Sequence, residues 1–291
     1  MRLLAALPTS VLAGAAAALG LVVGSFLNVV VHRLPRGESL LRPGSHCPGC
    51  RAAIAPWDNV PVLAYLWLRG RCRRCGVRIP LRYPLVELVT GAVFAAIVLR
   101  HGPSATTVVL LAFAAALIAA AVIDFDHRII PDEISLGGLA VALVAVPAAQ
   151  WLEGAGFAGA LARSAAGALL AAGALWSVGF AHARIASALG RRFDHWPGEG
   201  MALPRPASLD YWTWFPGVGF GDVKLLALIG AVLGPVGALE AILAASLAGL
   251  GLGLVWAAVT RRFDAPFGFA PALALGALLV VLTPVHLIPC G

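Results

Sequence analysis

The chain has 291 residues, 60% of them hydrophobic and 12% charged, with a mean hydropathy of +0.90. Soluble globular domains carry about 25% charged residues, so an ordinary soluble enzyme is excluded. The formal charge of +7 at pH 7 raises nucleic acid as a partner, but no interleaving of aromatic and basic residues supports such an interface.

A helix needs about 20 apolar residues to cross roughly 30 Å of hydrocarbon, and lipid leaves backbone no alternative to helices except a closed barrel. Eight spans are expected, over residues 9–31, 84–100, 105–123, 134–150, 159–180, 223–238, 239–259 and 268–285. Seven or nine are the alternatives, because three runs are short and the sixth nearly touches the seventh. The opening MRLLAALPTSVLAGAAAALGLVVG has the look of a secretory leader. Its apolar run continues to Val31 without a polar cleavage region, so a retained helix is expected.

The reading is therefore all-α: a first membrane helix over 1–31, a loop domain over 32–83, and a bundle of about seven helices over 84–291 with a further loop at 181–219. With the N-terminus outside, segments 32–83, 124–133, 181–222 and 260–267 lie inside. Together with Lys224 at the membrane edge they hold 18 of the 21 Lys and Arg, leaving Arg2, Arg100 and Arg163 for the other side. This positive-inside bias predicts both termini outside, with the inner charges also drawn to anionic membrane lipids.

The first loop holds CPGC at 47–50 and CRRC at 72–75. Two CxxC pairs 21 residues apart can wrap one metal tetrahedrally, and a reducing cytoplasm favours metal over disulfide. Cys47, Cys50, Cys72 and Cys75 are thus expected to form a structural zinc-ribbon-like site. A redox pair or idle thiols are the alternatives, and Cys290 is expected to be unrelated.

Further on, AVIDFDHRIIPDEIS at 121–135 ends one apolar run and begins the next. Asp132 and Glu133 suit the first turn of a helix. Asp124 lies deeper, where an acid requires a partner or a function. Asp222, in GVGFGDVK, falls at a similar depth nearly one hundred residues later. Gly217, Gly219 and Gly221 are expected to let a ligand approach it, while Lys224 is expected to point away, to the interface or a backbone carbonyl. Two close carboxylates share a proton and can activate water; an ion or substrate pathway and simple helix capping remain open on the residues alone. The loop at 181–219 reads as irregular surface with interfacial Trp and Tyr, or as a flap over substrate.

Taken in order, GSFLNVVVHRLP at 24–35, the two CxxC pairs, PLRYPLVELVTG at 80–91, DFDHRIIPDEIS at 124–135 and GFGDVKLLALIGAVLG at 219–234 resemble the prepilin peptidase family, intramembrane aspartic proteases with a GxGD motif. The resemblance implies catalytic roles for Asp124 and Asp222, with Asp126 the nearest rival for the first, and supporting places for Gly219, Gly221 and Lys224. It implies a bacterial inner-membrane enzyme that cuts type IV prepilins and type II secretion pseudopilins after a glycine on the cytoplasmic side. It also implies methylation of the new N-terminus from S-adenosylmethionine, associated with the cysteine loop. No glycine-rich nucleotide fingerprint marks a cofactor site; Asn28, His32, Arg33 and Glu87 are the polar membrane-edge positions available. Ten arginines in 33–82 oppose a basic leader, so Glu38, Asp58, Glu87, Asp132 and Glu133 are expected to receive it. A transporter would place acids at the midplane of an internal repeat, and an assembly scaffold would tolerate loss of both acids.

Overall fold

The computed structural model describes residues 7–191, 205–261 and 268–283. Among them the backbone is helical, and pairing between extended segments is confined to isolated bridges. In chain order the helices are α1 (Thr9–Arg33), α2 (Leu63–Trp67), α3 (Arg82–His101), α4 (Ala105–His127), α5 (Asp132–Leu152), α6 (Phe157–Ala188), α7 (Asp210–Thr213), α8 (Phe220–Thr260) and α9 (Ala270–Leu282). Six of them, α1, α3, α4, α5, α6 and α8, are long and apolar enough to cross a membrane.

α8 is one run of 41 residues broken at Gly234, where φ 72 and ψ 179 leave the helix, and Pro235 follows with no amide to donate. Its two arms, 220–233 and 235–260, cover the residues of the sixth and seventh expected spans, but together they make one of the six membrane-length helices among the described residues, against the eight expected. The break falls four residues before the expected boundary because the Gly-Pro pair, not the hydropathy, ends the first arm. α9 supplies the eighth segment; the end of that expected span and Cys290 lie outside the described residues.

Two ends also differ from expectation. α4 runs past residue 123 to His127, closed by Arg128 in the left-handed region at φ 56, so Asp124 and Asp126 both sit on its last turn. α6 continues to Ala188, so the expected loop at 181–219 begins as helix; residues 192–204 of it lie outside the described residues.

Small residues set the packing. α1 lies along α3, where a Cβ on Gly20 would come within 2.7 Å of Gly91 Cα. α6 lies along α8, where a methyl on Gly167 would strike the Gly230 carbonyl, and one on Gly230 the carbonyl of Gly167. Ser164 adds a 2.6 Å hydrogen bond to the Ala231 carbonyl, the kind of close interhelical contact that substitutes for hydrophobic drive in lipid. The most deeply buried large side chains include Leu117 and Ile123 of α4, Leu225, Leu226 and Ile229 of α8, and Leu273 of α9. The core runs on through Val31 of α1 and Ile97 of α3, and α9, packed against both α4 and α8, joins the helices that carry the acids.

Candidate active site

Asp124, on the last turn of α4, is only 5% exposed. Its Oδ2 accepts the Ala270 amide N–H at 3.0 Å, so the carboxylate closes the N-terminus of α9, where unpaired N–H groups and the helix dipole favour negative charge. Gly268 makes this possible, because a Cβ there would collide with Asp124 Oδ2. Neither Gly268 nor Ala270 was flagged by the sequence. The partner lies 146 residues away, and the only local hint is a glycine ahead of a helix.

Asp222, half-buried in the first turn of α8, lies within electrostatic reach of Asp124. The Asp222 amide donates to the Gly219 carbonyl at 3.1 Å, and a Cβ at 219 would come within 3.1 Å of Asp222 Oδ2. Gly221 faces Ile130, where an added Cβ would come within 3.3 Å of the Ile130 Cβ. The glycines expected to admit a ligand are thus partly filled by the protein: Gly219 seats the Asp222 carboxylate, and Gly221 seats the turn between α4 and α5. Gly217, at φ 80, provides the left-handed turn leading into the segment.

Asp126 behaves differently from its neighbour. It is exposed and forms an ion pair with Arg82 at the start of α3, because two residues along a helix turn a side chain to another face. Lys224 does point away from Asp222, but it reaches the Asp132 carboxylate at the start of α5 instead of a backbone carbonyl. That ion pair ties α5 to the first turn of α8.

The aromatic segment ahead of Asp222 is irregular apart from α7, as expected, and it is packed against α6. Trp176 and Phe180 of α6 stack at 4.9 Å, Phe180 stacks on Trp212 at 5.4 Å, and Arg184 lies 3.7 Å over the Tyr211 ring. Trp176 Nε1 donates to the Trp212 carbonyl at 2.8 Å, and Phe215 fills the space beside Gly179. This cluster fixes the approach of residues 211–219 to the acid.

The polar positions near the loop have structural partners. Arg33 donates to the Ser39 carbonyl at 2.9 Å, Asn28 Nδ2 to the Tyr83 carbonyl at 3.1 Å, and Arg36 reaches the His32 carbonyl. Of the acids expected to receive a basic leader, Asp58 is engaged by Arg73 at 2.6 Å, Glu87 by the Val62 amide at 2.7 Å and Asp132 by Lys224. Glu133 is exposed in the first turn of α5. Pairing with Arg73 holds the Asp58 carboxyl below its usual range, so that link is present at neutral pH and is lost as pH falls through the lowered value.

Cys47, Cys50, Cys72 and Cys75 gather with their sulfurs within 4.8 Å of one another. Each pair forms the same knuckle. The Arg51 amide bonds the Cys47 carbonyl at 2.8 Å and the Gly76 amide bonds the Cys72 carbonyl at 2.9 Å, with Arg51 and Gly76 both at positive φ. Amides of Cys75 and Arg74 aimed at Cys72 lower its thiol pKa to about 6, while at Cys75 the Val77 amide is outweighed by desolvation and the neighbouring sulfurs, which push the thiol up to about 11. One thiolate therefore forms readily, and the crowded set calls for a cation to ionise fully. The Cys47 and Cys75 sulfurs are 3.7 Å apart, against about 3.8 Å for the edge of a tetrahedron with 2.3 Å metal–sulfur bonds. The donor set and its spacing fit a closed four-thiolate site.

Fold and site together define a polytopic membrane protein with a carboxylate pair at one end of its bundle and a metal-knuckle loop. Residues 18–101 match the Bacterial Peptidase A24 N-terminal domain, and residues 111–254 match the Type IV leader peptidase family. A "Prepilin leader peptidase/N-methyltransferase" of Burkholderia pseudomallei is 35% identical, over 99% of this chain and 91% of its own. A protein of the same description from Myxococcus xanthus is 36% identical over 88% of this chain and 69% of its own. A "Type 4 prepilin-like proteins leader peptide-processing enzyme" of Escherichia coli is 33% identical over 90% of each chain. No solved structure matches. The chain belongs to the type IV leader peptidase family.

Proposed function

We propose that this enzyme cleaves the basic leader from type IV prepilins and pseudopilins after a glycine, at the cytoplasmic face of the bacterial inner membrane, with Asp124 and Asp222 as an acid–base pair. The observation that carries this reading is Asp124, buried against the amide of Ala270 and within electrostatic reach of Asp222. Two carboxylates so placed share one proton. The ionised member takes a proton from water as the water oxygen attacks the glycine carbonyl carbon. The protonated member donates to the carbonyl oxygen. As the tetrahedral centre collapses, the C–N bond breaks and the amine leaves with a proton returned through the pair. The pair titrates as a unit, so neither acid is named as the first base. Glu133, next to the Asp132 that ties α5 to α8, and Glu38 are the exposed acids we assign to meet the basic leader.

Methylation of the new amine follows from the same reading, with S-adenosylmethionine supplying the methyl group. Asn28 Oδ1, buried at the mouth of α1 and α3 with no protein donor, fits a donor ammonium and would hold that cofactor. Zinc is the metal that four thiolates suit, held by Cys47, Cys50, Cys72 and Cys75 as a structural cross-link with no open position for chemistry.

The test is leader release from a purified prepilin by the reconstituted protein, followed by mass. Wild type is expected to cut once, after the glycine; a folded protein that leaves every prepilin intact contradicts the reading. Gly268→Ala is expected to cut about 100-fold more slowly, the scale of loss when a reacting group is misplaced by about 1 Å. An unchanged rate removes the proposed support of Asp124 by α9.

A further inference from the structure

The loop domain carries an apolar face that the bundle does not cover. α2 presents Leu63, Leu66 and Trp67 at positions i, i+3 and i+4, so they share one side of the helix. They are 64%, 65% and 82% exposed, while Tyr65 turns the other way and packs on Gly70. In water this face would be a hydrophobic stripe on the most cationic segment of the chain.

The depth of α2 says what covers it. The Val62 amide, one residue before α2, donates to Glu87 Oε2 at 2.7 Å. Glu87 lies five residues beyond Arg82, the first residue of α3, or about 7.5 Å along the helix axis at 1.5 Å per residue. Glu87 is itself buried, against Gly24 of α1, and its side chain tilts back toward the start of α3, so the chain at Val62 is tied to the side of α3 along its first turns, beside two membrane-crossing helices. The chain makes a tight turn there. Leu63 N–H bonds the Pro61 carbonyl at 2.6 Å, and Val62 is held at φ 61, ψ −50, a strained γ-turn for a β-branched residue. The strain is held in place by the Glu87 bond and the packing around it. At the same depth the exposed apolar surface continues onto α3 through Leu85 and Leu88, which face lipid.

We propose that α2 is an interfacial membrane anchor. Leu63, Leu66 and Trp67 lie among the upper acyl chains of the leaflet on the loop's side, while exposed Arg69, Arg71 and Arg74 meet its phosphate headgroups. The metal-knuckle domain then lies flat on the membrane, held at two ends by α1 and α3 and between them by α2. The inference rests on the membrane-spanning helices and is independent of the catalytic assignment.

The test uses the full-length protein in bilayers containing phosphatidylglycerol, with lipids brominated high on the acyl chains. The contribution of Trp67 is the difference between wild-type and Trp67→Phe fluorescence, a conservative change at an exposed site. It is expected to be strongly quenched by bromolipid and little affected by aqueous iodide. Quenching by iodide but not by bromolipid would overturn the proposal, by placing α2 in water. Protection from both would also overturn it, by placing a protein surface over the face. Leu63→Glu combined with Leu66→Glu is expected to exchange bromolipid quenching of Trp67 for iodide quenching, and retention of the wild-type pattern counts against the anchor.

Discussion

Asp124→Asn and Asp222→Asn are each expected to reduce leader cleavage by about 10³-fold or more, the upper part of the range for loss of a positioned acid or base, whereas Asp126→Asn is expected to stay within a few-fold of wild type. Asparagine keeps the shape of the side chain and removes its proton chemistry. At 124 it still presents an oxygen to the Ala270 amide, so the helix end remains capped and the loss reports chemistry, not folding. At 126 it removes an ion pair with Arg82 that is partly exposed on both sides, and such pairs contribute about 0–1 kcal/mol. The measurement is the initial rate of leader release by mass, with circular dichroism confirming equal helix content. If the 126 variant is dead and the 124 variant active, the catalytic role moves to the residue paired with Arg82. If both single variants at 124 and 222 cut normally, the acid-pair mechanism fails.

The second large effect concerns the loop. Cys47→Ser or Cys75→Ser, or chelation of the wild type, is expected to remove the proposed zinc from a site whose four cysteines form no disulfide. In isolated zinc-finger peptides the binding energy of such a site is about 10–16 kcal/mol and is in effect folding energy. Metal analysis is expected to fall from one zinc per chain to none. Trypsin is then expected to cut at the exposed Arg51, Arg71 and Arg74, while the helix content of the bundle persists. Cleavage should decline far less than in the aspartate variants, because the carboxylate pair is held by α4, α8 and α9. A metal-free loop that resists trypsin as well as wild type would show that the knuckles hold without the ion.

Much of this was legible from local pattern. Apolar run length placed the spans, CxxC spacing placed the thiolate cluster, and the depth of Asp124 and Asp222 singled them out. What was missed depends on contacts distant in sequence or on backbone states that composition does not signal. The span was expected to end at 123 because the apolar run stops at Asp124, yet the helix continues to His127 and Arg128 closes it in the left-handed conformation, with neither glycine nor asparagine to mark that end. The Gly234–Pro235 break was in plain view, but the apolar run continues through it and hydropathy does not register a backbone turn. Lys224 meets Asp132 and Asp124 meets Ala270 across 92 and 146 residues, and no periodicity within one helix predicts either. Val62 at positive φ runs against the preference of every β-branched residue, so the dip of the loop toward Glu87 had no sequence signal.

We propose that water, activated between Asp124 and Asp222, attacks the peptide directly. Cleavage in heavy-oxygen water containing hydroxylamine, with mass analysis of the released leader, distinguishes this from a covalent route. One heavy oxygen in the new glycine carboxylate and no hydroxamate is the predicted result. A leader hydroxamate would reveal an acyl-enzyme and contradict the account.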